Sequence, residues 1–309
     1  MQEKERRVTH RKLLPRFVPV FILLLLAAEA GPSKAQANDA RIETFVSIPP
    51  QAYLVERIGG ERVHVNVLVE PGTSPHTFEP TPRQVSSLTG ADLYFGIGLP
   101  FEERIVKKIK DKNASFRLIR TDKGITRRPL DHPAGRTGID DHDEEGTNDP
   151  HIWLSVPQIR IQSINIYEAL GAADPSYREI YRTNLDRLLD ELDRVDAALS
   201  EIFKPYKGRP FFVYHPSFGY FADRYGLVQV PIEIEGKSPT PKQIERVIGE
   251  AKAQGARVIF VSPQFDAKSA DIIAEAIGGT VVPIDPLAKD VLQNIEKIAA
   301  KIQQSLKQP

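Results

Sequence analysis

Three histidines sit in short strings with marked turn chemistry: Ser74-Pro75-His76-Thr77-Phe78-Glu79-Pro80, Asp149-Pro150-His151-Ile152-Trp153-Leu154 and Phe212-Val213-Tyr214-His215-Pro216. A fourth string, Ile284-Asp285-Pro286-Leu287, adds a carboxylate. The chain has 309 residues, seven histidines and no cysteine. Imidazole plus carboxylate, with no thiolate to compete, is donor chemistry for a first-row divalent cation. Each residue alone has a plainer reading. A histidine beside proline commonly bonds a backbone carbonyl, and Asp-Pro commonly starts a turn. The metal reading therefore rests on whether the fold brings the four together.

The elements that must position them read as two α/β halves. In the first, Glu43–Ile48, Val63–Val69 and Asp92–Gly96 are strands, with helices at Gln51–Ile58, Pro82–Leu88 and Phe101–Lys110. In the second, strands at Phe211–Tyr214, Val228–Ile234, Val258–Val261 and Val281–Ile284 alternate with helices at Phe218–Tyr225, Pro241–Gln254, Ser269–Ala276 and Val291–Leu306. Such alternation predicts an α/β fold with a parallel sheet in each half, covered by helices. Ligands of open α/β sheets collect beyond the carboxyl ends of the strands. His215 and Asp285 each follow a strand and precede a proline, His76 lies in the loop after Val63–Val69, and His151 lies on the connection leaving the first half. Two donors from each half would close on one ion.

The halves also resemble each other. Phe45-Val46, Pro49, Tyr53, Arg57 and Gly59 align at constant offset with Phe212-Val213, Pro216, Tyr220, Arg224 and Gly226, and Pro80-Thr81-Pro82-Arg83-Gln84-Val85 is echoed by Pro239-Thr240-Pro241-Lys242-Gln243-Ile244. Between them, Tyr177, Tyr181, Leu185, Leu188, Leu192, Val195, Leu199 and Ile202 recur at spacings of three and four, which predicts one long helix over 175–204 with a single apolar face. The domain reading is a leader at 1–37, a first lobe at 38–174 with an acidic loop at 131–149, the helix at 175–204 and a second lobe at 205–309.

The leader has a basic start, an apolar run from Phe17 to Ala28 and a small-x-small site at Ala35-Gln36-Ala37, the layout of a secretory signal peptide. The apolar run is shorter than the roughly 20 residues that span a bilayer. Cleavage after Ala37 would remove seven Lys/Arg and three Asp/Glu from totals of 41 each, leaving a net charge of −4. No basic stripe for nucleic acid is expected. Without cysteine the chain has neither disulfides nor a lipidated anchor, so a soluble, monomeric periplasmic protein is expected.

The strings Ser-Pro-His-Thr-Phe-Glu-Pro-Thr-Pro, Asp-Pro-His-Ile-Trp-Leu, Phe-Val-Tyr-His-Pro-Ser-Phe-Gly-Tyr-Phe and Ile-Asp-Pro-Leu resemble the zinc/manganese-uptake solute-binding proteins of metal ABC transporters, in the cluster with a rigid interdomain helix. The resemblance runs through essentially the whole mature chain. It implies two lobes, one helix between them, His76, His151, His215 and Asp285 as metal ligands, and delivery of the ion to a membrane permease. Manganese members usually carry glutamate in place of the third histidine, so His215 implies zinc, with manganese or iron as alternatives. Pro75 stands where some zinc members have glutamate, which leaves the fourth position to Asp285 or to water. Zinc members often carry a His/Asp-rich loop where this chain has 131–149. Here it holds only His132 and His142 among Asp140, Asp141, Asp143, Glu144 and Glu145 and reads as a solvated acidic loop.

Two functions from other classes deserve comparison. Three histidines around an open position is a zinc-hydrolase pattern, but no HExxH-type glutamate is present and Asp285 would fill the shell. A surface adhesin is the other, with the missing lipidation cysteine against it. Gly96-Ile97-Gly98 lacks the third glycine of a dinucleotide loop. Trp153 reads as a core anchor, His64 as a solvent-facing strand residue, and His10 falls in the leader.

Overall fold

Parallel pairing builds two four-stranded sheets whose strand orders are copies of one another. The computed structural model describes residues 41–110, 116–131, 148–233, 239–266 and 268–307. The expected leader and its cleavage site, and His132 and His142 of the acidic loop, lie outside the described residues. In chain order the elements are β1 (Ile42–Val46), α1 (Pro49–Gly59), β2 (Val63–Val67), α2 (Pro82–Leu88), β3 (Leu93–Gly96), α3 (Pro100–Lys110), β4 (Leu118–Arg120), α4 (Val156–Ala173), α5 (Arg178–Phe203), β5 (Pro210–Val213), α6 (Gly219–Tyr225), β6 (Val228–Pro231), α7 (Pro241–Ala253), β7 (Val258–Val261), α8 (Lys268–Ala276), β8 (Thr280–Pro283) and α9 (Val291–Leu306). The sheets run β2-β1-β3-β4 and β6-β5-β7-β8, all parallel.

The duplication extends to local hydrogen bonding. Thr81 and Thr240 each accept from the backbone of the residue three on, while Gln84 and Gln243 reach back to the threonine amide, so α2 and α7 begin on matching capping boxes. Proline occupies the first turn of α1, α2 and α7, where its missing N–H costs no helical bond. Strand β1 ends at Val46 and β5 at Val213, so Ile48 and His215 fall at equivalent places two residues beyond. One copy carries an apolar side chain there and the other a donor.

The expected interdomain helix is α5, 26 residues long, with short 3₁₀ turns at Pro175–Tyr177 and Lys204–Tyr206. It buries Tyr181, Leu185, Leu188, Leu192, Leu199 and Phe203, whereas Tyr177, Val195 and Ile202 are only partly covered. At ~1.5 Å rise per residue it reaches about 39 Å. The main hydrophobic core includes residues of both halves as well as of α5 and α9. A smaller cluster lies in the second half among β5, β6, β7, α7 and α8. The halves thus share one apolar core. Among the described residues, no helix is long and apolar enough to cross a membrane.

Strand β4 went unassigned in the sequence, and α4 was expected only as a helix after His151, without bounds. Strand β4 has only three residues, too few for alternation to show. Helix α4 buries Val156, Ile159, Gln162, Ser163, Ile166, Tyr167 and Leu170, a face that mixes polar and apolar side chains and so blurs the 3.6 period.

Candidate metal site

His76, His151 and His215 converge at the carboxyl ends of the strands. Their Nε2 atoms form a triangle with edges of 3.2 Å (His76–His151), 3.1 Å (His76–His215) and 3.1 Å (His151–His215). A tetrahedral zinc ion with Zn–N bonds of about 2.0–2.1 Å separates its nitrogens by about 3.3 Å. One face of an octahedral ion with slightly longer bonds gives similar edges, so the triangle selects a small metal ion and the donor types select which. The rings border a cavity of about 10 Å³, room for a single ion or water.

Each imidazole is aimed by a different device. His76 lies in the turn after β2, where Thr73 N donates to Glu70 O and His76 N to the Ser74 hydroxyl, with Gly72 at φ 83° reversing the chain. His151 precedes a 3₁₀ turn at Ile152–Leu154; its backbone N and its Nδ1 both lie against Asp149 Oδ1, at 2.9 and 2.8 Å. His215 Nδ1 lies 2.5 Å from Glu233 Oε1. A carboxylate facing Nδ1 accepts a hydrogen bond from the ring N–H, which keeps the proton on Nδ1 and leaves the Nε2 lone pair for the metal. The His215 ring stacks on Phe265, centroids 4.6 Å apart, and His151 packs against Trp153 at 5.2 Å. Trp153 is buried and donates to Pro286 O at 2.8 Å, the core anchor expected of it.

His151 and His215 are buried, whereas His76 is exposed as a residue, so the site opens to solvent on the His76 side. The His76 ring tip is nevertheless packed among the other two rings. Burial, reinforced by the neighbouring His151 and His215, holds its pKa well below the usual histidine value. Burial also lowers His215, against the opposing pull of Glu233. Neutral imidazoles are the form that binds a cation.

Asp285 follows β8 as expected, but among the described residues the cluster of donor atoms contains only the three histidines. Its Oδ1 accepts from Gln264 Nε2 and from Leu287 N, both at 3.0 Å. Gln264 lines the cavity, as do Pro286 and Leu287 immediately after Asp285. Sequence reasoning missed Asp149 and Glu233 as orienting groups. Asp149 was visible in Asp149-Pro150-His151. Glu233 follows β6, the strand beside β5, so its signal was a carboxylate at a neighbouring strand end rather than any local spacing.

Residues 45–305 match the family described as ZnuA, the periplasmic component A of the zinc-uptake complex. The chain belongs to this family. It is 32% identical over 285 residues to a protein of Chlamydia muridarum named for metal binding, covering 91% of this chain and 97% of the relative. It is 27% identical over 287 residues to the manganese ABC transporter substrate-binding lipoprotein PsaA of Streptococcus mitis, covering 89% and 88%. Among solved structures, a ZnuA crystal structure superposes with a TM-score of 0.79 at 39% identity, covering 86% of this chain and 100% of that one. A zinc-bound ZnuA deletion mutant superposes with a TM-score of 0.78 at 40% identity, covering 87% and 100%. The chain is therefore a substrate-binding protein of a metal ABC transporter, with a metal ion as its cargo and a membrane permease as its partner, and it is not an enzyme.

Proposed function

We propose that the protein captures zinc in the periplasm on His76, His151 and His215 and releases it to the permease. The observation that carries this is the triangle of three Nε2 atoms, two of them backed by buried carboxylates. Three imidazoles favour zinc over manganese, which prefers oxygen donors. The likeness to a zinc-bound ZnuA at 40% identity supports the same choice. Asp285 is proposed as the fourth ligand, turning in from Gln264 when the ion arrives. Its charge would partly offset that of the cation and leave no open water position for hydrolysis. The lobes are taken as 38–174 and 205–309 joined by 175–204, and the working form as a soluble monomer freed of its leader near Ala37.

Calorimetric titration of chelator-stripped protein with Zn²⁺ and Mn²⁺ tests the reading. Zinc is expected to bind far more tightly, His215→Ala to abolish tight binding, and His215→Glu to narrow the gap between the two metals. Absence of tight zinc binding in the unaltered chain, or its survival in His215→Ala, would overturn the proposal.

A further inference from the structure

One guanidinium behind the site touches both halves of the molecule. Arg128, in the segment after β4, donates from Nε to Asp223 Oδ2 on α6 at 2.8 Å, from Nη1 to Asp149 Oδ2 at 3.2 Å, and from Nη1 and Nη2 to Asp131 at 3.2 and 2.8 Å. Asp149 is wholly buried and divides its two oxygens: Oδ2 faces Arg128 while Oδ1 accepts from the backbone N of His151 and faces its Nδ1. The backbone repeats the connection. Asp149 N donates to Arg128 O at 2.9 Å, Arg128 N donates to the Tyr220 hydroxyl at 3.2 Å, and that hydroxyl donates to Asp149 O at 3.0 Å. Gln229 of β6 holds Asp131 from the second half at 2.7 Å.

The fit is close: a side chain at Gly219 would require the guanidinium to move. A Cβ at Gly219, the first residue of α6, would stand 1.8 Å from Arg128 Nη1 and 2.7 Å from Asp149 Oδ2. Helix α6 begins four residues after His215, so the same contact that seats the guanidinium also seats the helix next to a second donor.

We propose that Arg128 is a positioning residue of the metal site, holding Asp149 so that His151 stays aimed. A carboxylate with no solvent contact needs a cationic or donor partner on each oxygen to keep one orientation. Without Arg128, Asp149 retains only its His151 side and its orientation is no longer fixed. Groups that orient metal-bound histidines through a carboxylate typically change metal affinity by about 10–100-fold. The inference rests on the three-histidine reading above.

The test is a double-mutant cycle in the full chain, with Zn²⁺ affinity measured against a competing chelator and unfolding followed in parallel. Arg128→Gln is expected to weaken zinc binding by about 10–100-fold. In an Asp149→Asn background the same substitution should change affinity less than about twofold, because its route to His151 has already been cut. A merely structural role would give the same loss in both backgrounds. Gly219→Ala presses on the guanidinium and on Asp149 Oδ2 where the two meet while altering no charge, and it should weaken zinc binding in the same range; it stands in if Arg128→Gln does not fold. Wild-type protein that binds zinc, with either variant unchanged or with losses that add, overturns this proposal alone. Wild-type protein that binds no zinc overturns the metal-site reading and this proposal with it.

Discussion

At the scale of single residues, the site is a contest between protons and a metal for three ring nitrogens. His76 and His215 are held neutral below the usual histidine range, chiefly by burial. In the unfolded chain they protonate at their ordinary value, near 6.5. The unfolded state therefore binds more protons as pH falls through that value, and folding stability must rise with pH across the window. Metal-free protein is expected to keep its full histidine-linked stability above pH ~6.5 and to lose it progressively below, down to the lowered pKa values of the folded state. Thermal melts of chelator-treated protein at pH 7.5 and 5.5 measure this. Replacing His76 by Asn should flatten the difference. Asp285 brings a different expectation. Asp285→Asn keeps the size of the side chain and an oxygen for Leu287 N but removes the charge, so a ligand role predicts zinc affinity weaker by roughly tenfold or more. Unchanged affinity would assign the fourth position to another group.

At the scale of elements, the sequence exposed some features and concealed others for physical reasons. His76, His151 and His215 were legible because proline and strand-end context marked each one. The two sheets were legible because β-branched and aromatic runs alternate with helical periods, and α5 because its apolar face repeats at three and four. Strand β4 and the extent of helix α4 were not, since one is too short and the other buries Gln162 and Ser163 beside its aliphatic residues. The carboxylates behind the rings were concealed too. Glu233 meets His215 only because β5 and β6 pair in parallel, a contact that no local spacing encodes. The duplicated caps allow a test of how alike the two copies are. Thr81→Ala and Thr240→Ala each remove an N-cap acceptor from a capping box, and each should cost about 1 kcal/mol in urea unfolding. The caps lie in different halves, with no shared partner, so the double variant should lose the sum of the two. A markedly smaller loss at one site would mean that its helix is fixed by packing instead.

At the scale of the whole molecule, the question is how a protein that encloses its ion lets it go. Proteins whose halves are joined by flexible strands can open about a hinge. Here α5 runs along both halves with Leu185, Leu188, Leu192 and Phe203 buried, and the main core contains residues of both. Opening the halves would expose apolar surface at about 25 cal/mol per Å², and ion binding offers little directional force against that. Motion should therefore be confined to the site's own wall, where His76 is exposed and its loop turns on Gly72. The expected outcome is a radius of gyration from solution scattering that changes by less than about 1 Å between chelator-treated and zinc-loaded protein, the small rearrangement usual for preorganised sites. Amide exchange should slow on zinc binding in the His76 loop, while the buried face of α5 stays equally protected in both states. Zinc at 1,000 times its dissociation constant should add about 4 kcal/mol to stability by mass action, with no change in overall shape required. A large compaction on zinc loading would mean instead that the shared core opens in the metal-free state, and the release step would then have to be sought in the motion of the halves.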